Sequence, residues 1–331
     1  MKAAVFERFG EPSEVLRVAE VPDPTPGPGQ VLVRMRYSPI NPSDLLTVQG
    51  AYGRLPPLPA TPGYEGMGIV ERSGGGLLGW RVLGRRVAVL NGVGGNWAEK
   101  VVIPARQAVP IPNDIPDEQA AAFFVNPATV VVLAEKVLRI PRGEWLLQTA
   151  AGSALGRMMV RLGKRLGFRT LNVVRRTETA QELLQLGTDA VVDTSRDSLV
   201  QRVRELTSGK GVRFAIDAVG GQTASEVVRC LAPGGRLIVY GTLAMEPMQL
   251  DQRLLIAGSK RIEGFWLSDW VRAQGPLTML RLFRRIFQLM RENVLTTEIG
   301  EIYALDQVAE AARKAAEPGR KGKIVLKLGP S

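Results

Sequence analysis

The chain of 331 residues contains no histidine and a single cysteine, Cys230. Without histidine the commonest general base and the commonest zinc ligand are absent. Ser-His-Asp and Cys-His mechanisms are excluded with them. One cysteine allows no disulfide within the chain, so a reducing compartment is compatible. Its setting, SEVVRCLAPGG, places Cys230 near the end of a helix as a small buried filler. No run of about twenty apolar residues is present to span a bilayer. The opening MKAAVFERFG reads as a strand and lacks the apolar core of a signal peptide. The expectation is a soluble cytoplasmic protein with no membrane partner. Acidic residues are outnumbered, with 32 Asp and Glu against 43 Lys and Arg, a net charge of +11. The excess is spread along the chain, without a long basic run or an aromatic-interleaved basic patch. Such a field favours anionic partners: nucleotide cofactors, coenzyme A, acidic carrier proteins and, on charge alone, nucleic acid. Nothing in it forms a dedicated nucleic-acid module, and no nucleic acid is expected.

What is present is two patterns in succession, so the length implies two domains or one interrupted by another. Up to about residue 125, short apolar runs alternate with Gly and Pro. AAVF, VLVRM, GMGIV, RRVAVL and EKVVI read as strands, joined by turn-rich linkers such as PDPTPGPG. This predicts a β-rich domain with few helices. From about Pro127, helical and strand patterns alternate through TVVVLAEKVL, WLLQTA, TLNVV, TAQELLQLG, AVVD, SLVQRVRELTSG, RFAIDAV, TASEVVRCL and RLIVYG. That alternation predicts a doubly wound parallel sheet. A long amphipathic helix, GPLTMLRLFRRIFQLMREN, follows. The closing helix QVAEAARKAA and strand KIVLKL are expected to return to the first domain, because KIVLKL needs a sheet to join.

Residues 146–176 are the most informative stretch. A strand, a small-residue turn, a helix and a second strand make the first unit of a dinucleotide-binding fold. Gly152, Ser153, Ala154, Leu155 and Gly156 do not spell a strict G-x-G-x-x-G, and a plain structural helix start is the competing reading. The second strand runs into Arg175 and Arg176, where an acidic residue would bond a ribose 2′-hydroxyl. A guanidinium grips a 2′-phosphate through paired donors, whereas a carboxylate repels it. The cofactor expected is NADPH and the chemistry hydride transfer. Three segments are expected to face the ligand crevice: the phosphate turn, Tyr240-Gly241-Thr242, and Gly264 to Ser268 with Phe265, Trp266 and Leu267.

Taken with Asn41-Pro42-Ser43-Asp44, Gln49-Gly50-Ala51-Tyr52-Gly53, Pro62-Gly63-Tyr64-Glu65-Gly66, Val125-Asn126-Pro127-Ala128-Thr129, Asn172-Val173-Val174-Arg175 and Val219-Gly220-Gly221, these segments resemble the medium-chain dehydrogenase/reductase superfamily. Within it the chain is most similar to the zinc-free 2-enoyl thioester reductases, with quinone oxidoreductases next. The resemblance implies an α/β chain: a GroES-like catalytic domain of residues 1–125 and 296–331, and a Rossmann cofactor domain of residues 126–295. It implies a homodimer. Tyr64 stands where zinc-dependent relatives carry histidine, in agreement with a site holding no metal. Tyr52 takes the family's proton-donor position. In that chemistry hydride adds to the β-carbon of a 2-enoyl thioester, and the resulting enolate must be stabilised and protonated. The competing role for Tyr52 is packing against the proline-rich loop that follows. Asn126 matches an asparagine on the nicotinamide side; its alternative is an N-cap for a helix starting near Pro127. By the same resemblance Asn41, Thr129, Gly152, Ser153, Ala154, Leu155, Arg175, Arg176, Tyr240, Gly241, Thr242, Phe265, Trp266, Leu267 and Lys323 contact the cofactor. For Phe265 and Trp266 the alternative is plain core, and for Lys323 a solvated lysine before a strand. Ala154 replaces a usual glycine, Thr149 and Gly152 replace polar asparagines, and residues 73–84 lack the polar turn of relatives.

Three functions remain open on the sequence. The first is NADPH-dependent reduction of 2-enoyl thioesters on coenzyme A or an acyl carrier protein. The second is a quinone or small enone reductase of the same fold. The third is a nucleotide-binding protein without turnover, acting in RNA binding or as a structural protein.

Overall fold

The structure, a computed structural model, describes residues 1–92 and 94–329. The chain divides into two compact units, Met1–Val125 with Thr296–Ser331, and Asn126–Leu295. Residues 330 and 331, at the end of the first unit, lie outside the described residues.

In the first unit the described residues form a seven-stranded sheet in the order Ile299–Ala304, Lys323–Lys327, Gln30–Pro39, Glu65–Ser73, Arg86–Leu90 and Ala108–Pro110, with Lys100–Pro104 pairing Gln30–Pro39. Along the central strand, Val33 and Met35 are buried while Arg34 and Arg36 are exposed, the period of two that one packed face imposes. Lys323–Lys327 runs antiparallel to that strand, with Val325 opposite Pro39, so the closing KIVLKL has its sheet. Beside it the helix Val308–Ala316 buries Val308, Ala311, Ala312 and Ala315, one face at three- and four-residue spacing. These side chains share one core with Val31, Ile40, Val70, Val87 and Trp97. Lys2–Val5 and Arg17–Glu20 pair as a separate antiparallel ribbon.

In the second unit the sheet order is Ala190–Asp193, Arg169–Val174, Trp145–Gln148, Val212–Asp217, Leu231–Val239 and Arg261–Gly264. Every neighbouring pair is parallel. Numbered by appearance the order is 3-2-1-4-5-6, a doubly wound sheet whose order reverses between Trp145–Gln148 and Val212–Asp217. Leu147, Leu171, Val173, Ala215 and Leu237 fill its core with Val227 and Val228 of the helix Gly221–Cys230. Cys230 is the last residue of that helix and is buried.

Among the described residues four short helices interrupt the region expected to hold few: Pro12–Val15, Pro42–Val48, Leu77–Val82 and Asp117–Ala121. Leu77–Val82 forms within residues 73–84, the stretch that lacks the polar turn of relatives.

Candidate active-site residues in the two units

In the first unit the helix Pro42–Val48 starts from Asn41, whose backbone is extended. Asp44, one turn in, folds back over this start. One of its oxygens accepts the Asn41 N–H at 2.7 Å and the other the Tyr64 N–H at 3.0 Å. Glu65 opens the next strand and accepts the Asn41 side-chain amide at 2.9 Å. Its second oxygen accepts the N–H groups of Phe124 at 3.0 Å and Val125 at 2.8 Å. Lys323, the first residue of its strand, donates to Asn41 Oδ1 at 2.6 Å. All four side chains are buried. Two carboxyls and one ammonium therefore share a space without water as counter-charge, and each shifts toward its neutral form. Burial pushes Asp44 up to about 7, against the pull of the Asn41 and Tyr64 N–H groups and of Lys323. Burial also raises Glu65, opposed by the Val125 N–H, the Asn41 amide and Lys323. Burial pushes Lys323 down to about 8, opposed by Glu65 and Asp44. Lys323 is thus not the solvated lysine that its place before a strand suggested; a lysine stem this short of water is held by the partners that meet its head.

The Asp44 shift has a measurable sign. Its folded-state value lies above the unfolded one, so the native form binds more protons between about pH 4 and about pH 7. That contribution is complete below the unfolded value and is lost as pH rises through about 7. The stability advantage of wild type over Asp44→Asn is expected to shrink by about 2–4 kcal/mol from about pH 4 to about pH 8. Urea unfolding of both proteins across that range measures it, and a gap that does not move with pH refutes the shift.

The phenols lie beside this cluster. The Thr47 hydroxyl donates to the Ser43 carbonyl at 2.8 Å, so at 2.7 Å it is an acceptor for the Tyr64 hydroxyl. Burial pushes Tyr64 up to about 12. The proton of Tyr64 is committed. Tyr52 is half-buried, and its ring packs on that of Tyr64 with centroids 5.6 Å apart at 46°. Its neighbour is therefore an aromatic wall rather than the proline loop alone.

The second unit gathers the other candidates. In a parallel sheet all strand C-termini share one edge, and the turns after Gln148, Val174, Asp217, Val239 and Gly264 emerge there. Ser153 caps the helix Ala154–Leu166 by accepting the Gly156 N–H at 3.1 Å. A Cβ on Gly156 would stand 2.4 Å from the Ala151 carbonyl oxygen, so only glycine lets the helix start this close to the turn. The N-terminal N–H groups of this helix can hold an anion. Arg157 donates to the Gly152 carbonyl at 3.1 Å and pairs with Glu182, clamping the turn. Arg157 belongs to no motif of the sequence; its place one turn into the helix after the small-residue turn was the available signal. Arg175 and Arg176 follow the second strand and are exposed. Arg176 reaches Thr179 at 3.4 Å, while Arg175 enters no hydrogen bond or ion pair among the described residues.

At the point where the sheet order reverses, the Thr149 hydroxyl donates to Asp217 at 2.6 Å. Asp217 also accepts from the N–H groups of Val219 and Gly220 at 3.2 and 2.8 Å, which shapes the turn after its strand. Tyr240 is anchored by its N–H to the Asp217 carbonyl at 2.8 Å, and Gly241 and Thr242 continue from it to the surface. Phe265 is anchored by its N–H to the Val239 carbonyl, and Trp266 precedes the helix Leu267–Arg272. Phe265, Trp266 and Leu267 are all partly exposed, which separates them from plain core. Thr129 is buried in the helix Val125–Val131. Asn126 lies inside the first turn of that helix and is not its N-cap. The N–H of Val125 at the start of the helix is taken instead by the Glu65 carboxyl.

Among the described residues no cluster of His, Cys, Asp and Glu could hold a metal ion. No helix there is long and apolar enough to cross a membrane.

Comparison with known proteins agrees with this architecture. Residues 27–113 match the family described as alcohol dehydrogenase GroES-like domain, and residues 154–284 the family described as zinc-binding dehydrogenase. The chain is 32% identical over 305 residues to a mitochondrial enoyl-[acyl-carrier-protein] reductase of Dictyostelium discoideum, covering 90% of this chain and 86% of that protein. A solved putative NADPH:quinone reductase from Bacillus thuringiensis superposes with a TM-score of 0.92 at 34% identity, over 99% of each chain. The Escherichia coli quinone oxidoreductase, solved with NADPH, gives 0.91 at 26% identity, over 99% of this chain and 100% of its own. The chain belongs to the medium-chain dehydrogenase/reductases, on the branch without catalytic zinc. It is an oxidoreductase.

Proposed function

We propose that this chain reduces the C2=C3 double bond of 2-enoyl thioesters with NADPH. The observation that carries the reaction type is the Tyr52–Tyr64 pair: a phenol with a committed proton walls a second phenol, in a chain without histidine. NADPH fits the second unit. The Ser153-capped helix start, with Ala154 and Leu155, meets the diphosphate. Arg175, exposed and unpaired among the described residues, takes the 2′-phosphate, with Arg176 beside it. Gly152, Tyr240, Gly241, Thr242, Phe265, Trp266, Leu267, Asn126 and Thr129 complete the cofactor contacts. When bound, NADPH supplies the hydride. Tyr52 donates a hydrogen bond to the thioester oxygen as negative charge develops there, and delivers the proton. Asn41 and Lys323, spent on one another and on Glu65, hold the framework of the first unit.

The thioester is favoured by the likeness to reductases of acyl-carrier substrates over nearly the whole chain. The net positive charge suits coenzyme A and acidic carrier proteins alike. The second reading, a quinone or small enone reductase, draws on the likeness to quinone reductases of known structure.

One experiment separates the two. NADPH oxidation is followed with crotonyl-CoA, a longer 2-enoyl-CoA and a simple quinone, in wild type and Arg175→Ala, and again with NADH. Turnover on both thioesters is expected, and Arg175→Ala is expected to raise KM for NADPH about 10–100-fold with NADH unaffected, the loss of a charged hydrogen-bonding pair. Turnover on the quinone alone moves the chain to the second reading. An unchanged KM for NADPH removes Arg175 from the site.

A further inference from the structure

The helix Leu77–Val82 turns its small and branched residues inward, burying Gly79 and Val82. Its remaining apolar side chains face out. Leu77 is 85% exposed, Leu78 54%, Trp80 69%, and Leu83 just past the end 42%. A soluble surface carries single exposed leucines freely, but three leucines and a tryptophan within seven positions form a patch. Gly76 and Gly84 bound it with φ of 86° and 71°, and a Cβ on either would meet nothing within 4 Å. One sign of charge dominates the same stretch. Arg72, Arg81 and Arg85 are exposed in the same stretch, as is Arg106 on the short turn Ala105–Gln107 packed beside the helix. Glu71 is the single acid of residues 71–85. Arg81 and Arg85 enter no ion pair among the described residues.

We propose that this patch inserts into the headgroup region of an anionic lipid surface. A tryptophan with leucines enters the boundary between headgroups and acyl chains, and arginines at the rim meet lipid phosphates. Pairing with a second copy through the same face would gather the unpaired arginines of both copies into one interface, with Glu71 the single acid of residues 71–85 to offset them, whereas lipid phosphates neutralise them. This is attachment to a surface and not a span, so it revises the expectation of no membrane partner without requiring a transmembrane helix.

The test is co-sedimentation of the full chain with vesicles of phosphatidylcholine alone and of phosphatidylcholine with phosphatidylglycerol, at low and high salt. Binding is expected to the anionic vesicles, with a blue shift of tryptophan emission that Trp80→Phe abolishes. Leu77→Ser with Trp80→Ser is expected to lower partitioning about ten-fold or more, and Arg81→Gln with Arg85→Gln by a comparable factor. Arg196→Gln with Arg202→Gln, on the other unit, controls for net charge and is expected to change little. Three results overturn the proposal: no binding, binding that the Leu77 and Trp80 changes leave intact, or a wild-type dimer that those changes dissociate without any lipid affinity. Far-UV circular dichroism of each variant shows that it folds.

Discussion

Lys323→Met is expected to lower the unfolding free energy by about 3–5 kcal/mol, the loss typical of a buried ionic group stripped of one partner. Methionine fills much of the lysine stem, so little of the effect is cavity. What is lost is the single ammonium facing two buried carboxyls, and the 2.6 Å bond to Asn41. Asn41 then keeps Glu65 but has an unmet oxygen in a site closed to water. The deficit should depend on pH in a defined direction. Without Lys323 the folded-state values of Asp44 and Glu65, already raised by burial, rise further. Both carboxyls then add stability on the acid side and lose it as pH climbs, so the deficit at about pH 8 should exceed that at about pH 5. Urea unfolding at the two pH values reads this directly, provided the transition followed is that of the unit carrying Lys323. A deficit under about 1 kcal/mol at either pH means the three charges are not buried together. The wild-type cluster is not thereby an efficient source of stability, since an apolar replacement of all its charged members can equal it. Its effect is to dictate where one helix start and two strands must meet.

The parallel sheet of the second unit was legible because strands buried on both faces read as unbroken apolar runs. Leu146 and Leu147, Leu171 and Val173, and Leu237 and Ile238 mark three such strands. Edge strands gave no such signal. Arg17–Glu20 has no buried residue, and Ile299–Ala304 is exposed or half-exposed throughout, so each exists through a partner distant in sequence. The start of Pro42–Val48 did carry its signals, an asparagine, a proline at the first helical position and an acid two further on. Its brevity hid it. Among candidate residues, the places of Ser153 at a helix start and Arg175 at a strand end were readable because turn and strand end are local features. The burial of Lys323 was not, because it depends on Asn41, 282 positions away. For the same reason the Asn126 helix start could not be read from local spacing: its capping carboxyl is Glu65, 60 positions before Val125. Long-range polar contacts leave no periodic mark in a sequence, whereas apolar faces do.

Tyr52→Phe is expected to lower kcat on enoyl thioesters about 10²–10⁴-fold, the range associated with removing a positioned proton donor. KM for NADPH should stay near wild type, because the change deletes one oxygen and leaves the ring packed at a tilt against Tyr64. Stability should hold within about 1 kcal/mol, since the half-buried ring keeps its contact. The control is Tyr64→Phe. It removes the bond to Thr47, so a stability loss of about 1 kcal/mol is expected with a smaller loss of turnover. The two variants remove different phenols, and the hydrogen bond of one of them is defined. Thr47 already uses its own hydrogen on Ser43, so the Tyr64 proton is held between two oxygens of the protein. Burial raises Tyr64 to about 12, which makes it a still weaker acid. A donor must instead release its proton to an enolate carbon or oxygen near neutral pH and recover it from water. If Tyr64→Phe proves the more damaging for kcat, the donor is Tyr64 and Tyr52 is its support. If both variants turn over like wild type on a thioester, protonation comes from solvent and the phenols only shape the wall. A steep loss confined to Tyr52→Phe, seen with thioesters and absent with quinones, ties the donor to the enolate chemistry: a quinone accepts hydride at an oxygen-conjugated ring, and its product can take its proton from water.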